Sequence, residues 1–186
     1  LHPEVLSTLG AWERRDVTAV VAFLESAGQS RARILLVGAS QGAGVALLAL
    51  ADLENSGQPL AGALLESPFR DMRDAARNHL RNQLGAWEWF FQHAEVIALE
   101  RAGAFGRFDP DAVSPLEASR RLRTPVALLA GDADRITPLR GVQEIARYHP
   151  DLVVVNGAGH CEAGARLPEG WETWAQARLA RWGLLD

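Results

Sequence analysis

Four short apolar runs recur along the chain, "RILLVG" (33–38), "LAGALLES" (60–67), "TPVALLAG" (124–131) and "DLVVVNG" (151–157), and stretches of helical character separate them. That alternation constrains the fold more than any other feature. A strand that is apolar at nearly every position must be covered on both faces, which happens in parallel sheets flanked by helices. Joining parallel strands takes a crossover of a dozen residues or so, usually a helix. The helical stretches, roughly 71–84, 87–103, 115–122, 138–148 and 170–182, supply such crossovers. The expected class is α/β, a mostly parallel sheet with helices on both faces and right-handed crossovers.

With 186 residues, 48% of them hydrophobic, the chain has enough material for one domain with a sizeable core, and residues 1–186 are read as that domain. Ahead of the first strand, Val17, Val20, Val21 and Leu24 recur at i, i+3, i+4 and i+7, the stripe of an amphipathic helix, with Gly28 placed to end it. The chain therefore opens on a loop-like "LHPEVLSTLG" and a helix. A first strand as apolar as "ILLVG" would be left with an unpaired edge, which natural proteins avoid. The corresponding expectation is that further strands precede Leu1 in the parent fold.

A net charge of −4 with interspersed signs gives no basic stripe, so nucleic acid is not an expected partner. The arginines of "SRRLR" (119–123) end a helix, where positive charge suits the helix dipole. The single cysteine, Cys161, rules out an internal disulfide and a cysteine-based metal cluster. His2, His79, His93 and His149 show no metal-ligand spacing. No metal and no organic cofactor is expected.

One serine sits at the seam between the first strand and a helix: Gly38-Ala39-Ser40-Gln41-Gly42 fits G-x-S-x-G. A serine on so sharp a turn adopts unfavourable backbone angles, and strand and helix crowd it. The expectation is that both flanking glycines are needed for want of bulk. The hydroxyl then projects above the carboxyl end of the sheet, at a helix N-terminus that favours developing negative charge. Gln41 would offer its backbone N–H as one oxyanion donor. A serine hydroxyl needs a base, and the base an orienting acid. "LLAGDADRITP" places Asp132 and Asp134 just past the third strand, and "VVVNGAGHCEA" places His160 just past the fourth. Active-site groups in such sheets gather at the carboxyl ends of strands. Glu66, closing "ALLES", is a third carboxylate at a strand end.

These stretches together resemble the C-terminal two-thirds of an α/β-hydrolase. "GASQGAG" resembles the nucleophile elbow, "PVALLAGDADRITP" the acid-bearing stretch, "GAGH" the loop of the base, and "STLGAWERRDVTAVVAFL" the helix that precedes the nucleophile strand in bacterial serine hydrolases. The resemblance implies a serine hydrolase with Ser40 as nucleophile, His160 as base and Asp134 as acid. Asp134 is favoured over Asp132 by its three-residue offset from Gly131, which leaves Asp132 a turn or capping role and Glu66 a wall or hydrogen-bonding role. The implied substrate is a small ester or other acyl compound, with a carboxylesterase first, a peptidase second and a non-catalytic binding module of the same fold as the alternative. Where this family draws its second oxyanion donor, from an H-G-type loop after an earlier strand, the chain has no counterpart. A missing N-terminal segment of the same fold is the implied partner.

Residues 70–118, between the second and third strands, fall where these hydrolases carry a cap. The segment holds Trp87, Trp89, Phe90, Phe91, Phe105 and Phe108, of 13 aromatic residues in all. Trp87 and Phe90, at i and i+3, are candidates for the wall of an acyl pocket. Packing of helices onto the sheet explains the same residues equally well. Cys161, beside the proposed base, is expected to be a small buried hydrophobe.

Overall fold

Adjacent residues of each apolar run belong to two different cores, one on each side of a sheet. In the computed structural model, which describes residues 7–185 apart from the side chains of 86 and 88–93, four parallel strands pair in the order β1 (Leu35–Ala39), β2 (Gly62–Glu66), β3 (Val126–Gly131) and β4 (Asp151–Val155). Ala63, Leu65, Val126, Leu128 and Ala130 point to one face. There they meet Val21 of α1 (Glu13–Ser26), Ala43, Leu47 and Leu50 of α2 (Gln41–Asn55), and Val142 and Ile145 of α6 (Leu139–Ala146). Leu64, Ala127 and Leu129 point to the other, against Ala163 of α7 (Ala163–Arg166) and Trp174 and Ala175 of α8 (Trp171–Arg181). The period-2 alternation of side chains across a strand produces this division.

Between β2 and β3 the chain is helical: α3 (Met72–Leu84), α4 (Glu88–Gly106) and α5 (Pro115–Ser119). Asp71 caps α3 by accepting from the Asp74 N–H at 2.7 Å, and Ser114 caps α5 through the Glu117 N–H. Gly85, at φ 55°, breaks α3 from α4 through a short 3-10 turn, Gly85–Trp87. A third cluster (Ala11, Leu48, Phe69, Met72 and Val113, with Leu9, Leu99 and Phe108 against it) joins this helical segment to α2 and to the turn before α1.

The elements sit where the apolar pattern predicts, with shifted ends. The stretch read as 87–103 is a helix running to Gly106, and that read as 115–122 stops at Ser119. β1 and β4 are the edges of the described sheet, with Val37 61% and Val154 42% exposed, whereas β2 and β3 are buried almost throughout. All four strands deliver their carboxyl ends to one rim, where the loops carrying Ser40, Glu66, Asp134 and His160 emerge.

Candidate active site

Ser40 joins β1 to α2 in a conformation that L-residues rarely adopt, φ 53° and ψ −119°. Such a residue costs on the order of 1–3 kcal/mol and persists only where its surroundings over-determine it. Here its N–H donates to the Glu66 carbonyl at 2.9 Å, and its carbonyl accepts from the N–H groups of Ala43 and Gly44 at 3.1 and 3.2 Å. The Ser40 side chain does not cap α2, which leaves the hydroxyl free for chemistry.

The glycines around the turn are not equivalent. A Cβ at Gly38 would lie 2.7 Å from the Gly42 carbonyl oxygen, so the first motif glycine is sterically required. A Cβ at Gly42 would meet nothing within 4 Å, which corrects the expectation that both flanking positions are crowded. The crowding falls two residues further on, at Gly44, where a Cβ would sit 2.1 Å from the Phe69 ring.

Past β3, Asp134 is 5% exposed and its carboxylate is fully engaged. Oδ1 accepts the N–H groups of Ile136 and Thr137, both at 2.9 Å, while Oδ2 accepts the Thr137 hydroxyl at 2.7 Å and faces His160 Nδ1 at 2.9 Å. Burial works to raise its pKa, but hydrogen bonds from the Thr137 hydroxyl and N–H and from His160 outweigh burial and hold the carboxyl below its ordinary value. An ionised Asp134 only accepts, so it places a proton on Nδ1 and leaves Nε2 as the acceptor. His160 Nε2 lies 2.7 Å from Ser40 Oγ. The structure thus brings Ser40, His160 and Asp134 together in one hydrogen-bonded line.

The two competing carboxylates lie elsewhere. Asp132 Oδ1 accepts the Gly157 N–H at 2.6 Å, and Glu66 Oε1 accepts the Gly164 N–H at 3.1 Å. Asp132 thereby pins the acid loop to the base loop, together with the Ala133 N–H on the Ala158 carbonyl at 3.0 Å. The two loops approach so closely that a Cβ at Gly131 would lie 2.1 Å from the Ala158 oxygen. Thr137 stands in no motif of its own; a threonine three residues after an aspartate, ahead of a proline, is the one local signal for it.

Cys161 departs from expectation: it is exposed, at φ 56°, and not a buried hydrophobe. Desolvation of the sulfur, with the negative charge of Glu66 and Asp134 adding to it, pushes the thiol up to about 11. Gln41 is the first residue of α2, so its N–H has no intrahelical carbonyl to bond. Its side chain donates from Nε2 to Ser7 Oγ at 2.8 Å.

In the helical segment, Trp87 is 66% exposed on the turn between α3 and α4, and the side chain of Phe90 lies outside the described residues. A largely apolar cleft of about 410 Å³ opens between these helices, lined among the described residues by Ala76, Leu80, Ala94, Glu95, Ala98, Leu99 and Ala102. Small residues at these helix positions carried no signal of a cavity. Among the described residues, no three His, Cys, Asp or Glu side chains are placed to hold a metal ion.

A family model described as the alpha/beta hydrolase family matches residues 6–169. Among solved structures, the esterase Pf2001 of Pyrococcus furiosus is 21% identical, with a TM-score of 0.66 over 95% of this chain and 64% of that one. The thermophilic esterase Est2 of the planctomycete Thermogutta terrifontis is also 21% identical, with a TM-score of 0.65 over 93% of this chain and 63% of that one. Dipeptidyl peptidase 4 of Porphyromonas gingivalis, 16% identical, aligns with a TM-score of 0.62 over 94% of this chain and 23% of that one. The chain therefore spans about 64% of the length of the esterase Pf2001. No curated protein matches the sequence.

Proposed function

This chain belongs to the α/β hydrolase family, and on that premise we propose that it is a serine hydrolase cleaving carboxylic esters through an acyl-enzyme intermediate. The observation that carries the reading is the unbroken line from Ser40 Oγ through His160 to Asp134, at 2.7 and 2.9 Å, with the serine on a strained turn. His160 Nε2 takes the hydroxyl proton as Ser40 Oγ attacks the ester carbonyl carbon. Asp134 holds the imidazole in the required tautomer and stabilises the imidazolium that forms. The Gln41 N–H and the N-terminus of α2 face the developing oxyanion. The protonated His160 then gives its proton to the departing alkoxide oxygen. In the second half, water attacks the acyl-enzyme with His160 again as base, releasing the acid and restoring Ser40.

An ester is favoured over an amide by the similarity to proteins named as esterases. The similarity to a dipeptidyl peptidase keeps amide cleavage as the second reading. A fluorophosphonate probe with peptide mapping, applied to the full-length protein, tests the nucleophile. The expected adduct is on Ser40; no adduct there would overturn the enzyme reading in favour of a binding module. A panel of p-nitrophenyl esters with one aminoacyl anilide separates the two activities, and faster anilide turnover would reverse the ranking.

A further inference from the structure

Ahead of α1 the segment Ser7–Trp12 makes a turn whose bonds exceed what starting a helix requires. Thr8, 3% exposed, donates its N–H to Glu13 Oε1 at 2.6 Å and its hydroxyl to Glu13 Oε2 at 2.5 Å. Oε2 also accepts the Gly10 N–H at 2.8 Å, and Thr8 Oγ1 accepts the Trp12 N–H at 2.9 Å. One carboxylate thus gathers three donors. The turn between them is strained, with Leu9 at φ 51° and Gly10 at φ 115°, and a Cβ at Gly10 would strike Leu48 of α2 at 2.6 Å.

Closing the turn ahead of α1 accounts for the Thr8 and Glu13 pairing. It does not account for where the turn reaches. Ser7 Oγ accepts from the Gln41 side chain at 2.8 Å, on the first residue of α2, next to Ser40. On the other side the Trp12 indole N–H donates to the Gly106 carbonyl at 2.8 Å, at the end of α4. The same turn therefore touches the start of the nucleophile helix and the end of the helical segment between β2 and β3.

Resting on the serine hydrolase reading, we propose that Glu13 is a positioning residue for the oxyanion site. It holds the 7–10 turn so that Ser7 anchors Gln41 and fixes the first N–H of α2 against the developing charge. An oxyanion donor acts through preorganisation, so a donor left to wander loses transition-state stabilisation without losing ground-state binding.

The test compares Ser7→Ala, Ser7→Thr and Glu13→Gln, each alone, and Glu13→Gln again in a Gln41→Ala background, by p-nitrophenyl ester kinetics and thermal melting. Ser7→Ala removes only the anchor and is expected to lower kcat by about 3- to 10-fold with KM and Tm unchanged. Ser7→Thr keeps the hydroxyl and should keep kcat. Glu13→Gln, which leaves one carbonyl oxygen for three donors, should lower kcat by about 10-fold and lower Tm as well. In the Gln41→Ala background it should lower Tm alone. Wild-type kcat in both Ser7→Ala and Glu13→Gln, or a Glu13→Gln loss in kcat undiminished by Gln41→Ala, would leave Glu13 only the closing of the turn ahead of α1. Fluorophosphonate labelling of wild-type Ser40 in the same preparations separates the failures. Labelling with unaffected variants overturns only this role, and no labelling overturns it together with the reading it rests on.

Discussion

Gly131→Ala tests whether the acid and base loops are held in register by close backbone contact. The new Cβ would lie 2.1 Å from the Ala158 oxygen, 2.6 Å from the Ala158 carbonyl carbon and 2.9 Å from the Gly159 oxygen. All three are backbone atoms, so no side-chain rotation relieves the clash, and the loop carrying His160 must withdraw by about 1 Å to restore ordinary packing. That loop is fixed to the acid loop through Ala133 N–H to Ala158 O at 3.0 Å and Gly157 N–H to Asp132 Oδ1 at 2.6 Å. Withdrawal by that much carries the 2.9 Å His160–Asp134 and 2.7 Å His160–Ser40 contacts beyond the hydrogen-bond range, which ends near about 3.2 Å.

A misplacement of about 1 Å is worth on the order of 10²-fold in rate, and overpacking of this kind costs about 1–3 kcal/mol of stability. The expected result is a folded variant with kcat down about 10²-fold. Gly42→Ala is the internal control, because its Cβ would enter open space and the position sits in the first turn of α2. It should keep kcat and melt no lower than wild type, since alanine suits a helix better than glycine. The assay is p-nitrophenyl ester hydrolysis, normalised by fluorophosphonate titration of competent sites, with urea denaturation for stability. A Gly131→Ala enzyme that turns over like Gly42→Ala, or equal losses in both, would refute the reasoning.

The remaining predictions concern the carboxylates and the thiol. Asp134→Asn should lose on the order of 10⁴-fold in kcat through the wrong imidazole tautomer, whereas Asp132→Asn, which touches Gly157 and not His160, should lose far less; equal losses in esterase assays would show the acid to be misassigned. Because the folded state depresses the Asp134 pKa, its ionisation stabilises the fold at pH values above the ordinary 3.8 and that contribution fades as pH falls through the depressed value. Urea midpoints measured from about pH 5 down to about 2 should therefore fall less steeply for Asp134→Asn than for wild type, and parallel curves would contradict the assignment. Cys161, although exposed, should react with iodoacetamide at neutral pH about 10-fold more slowly than a thiol of ordinary pKa 9.0, its own being about 11, because its smaller thiolate fraction is partly offset by the higher nucleophilicity of the more basic thiolate. Thiol alkylation at the free-cysteine rate would mean that the sulfur is not desolvated in the folded protein.

What could be read from the sequence follows from how local each signal is. The strands are self-announcing because their runs are apolar nearly throughout, although only β2 and β3 are buried on both faces, and Ser40, Asp134 and His160 lie at fixed offsets from strand ends, so their convergence follows once the strands are parallel. The glycine requirement was misplaced because crowding is a property of whatever packs against a position. Gly42 looks obligatory within its own motif yet faces open space, while Gly44 and Gly131 meet Phe69 and Ala158, residues 25 and 27 positions away, which no local pattern encodes. Cys161 was misread for a related reason: small apolar residues are usually buried, but the loop that lifts His160 toward Ser40 turns at a positive φ and leaves the next side chain outside. The three donors on Glu13 are local and were in principle legible as a reach-back from the first turn of α1, but the hydrogen bond that gives them consequence, Ser7 to Gln41, spans 34 residues. The positions where local pattern and tertiary contact disagree, Gly131 and the Ser7–Glu13 turn, are therefore those at which a conservative change should alter turnover through geometry alone, without removing any reacting group.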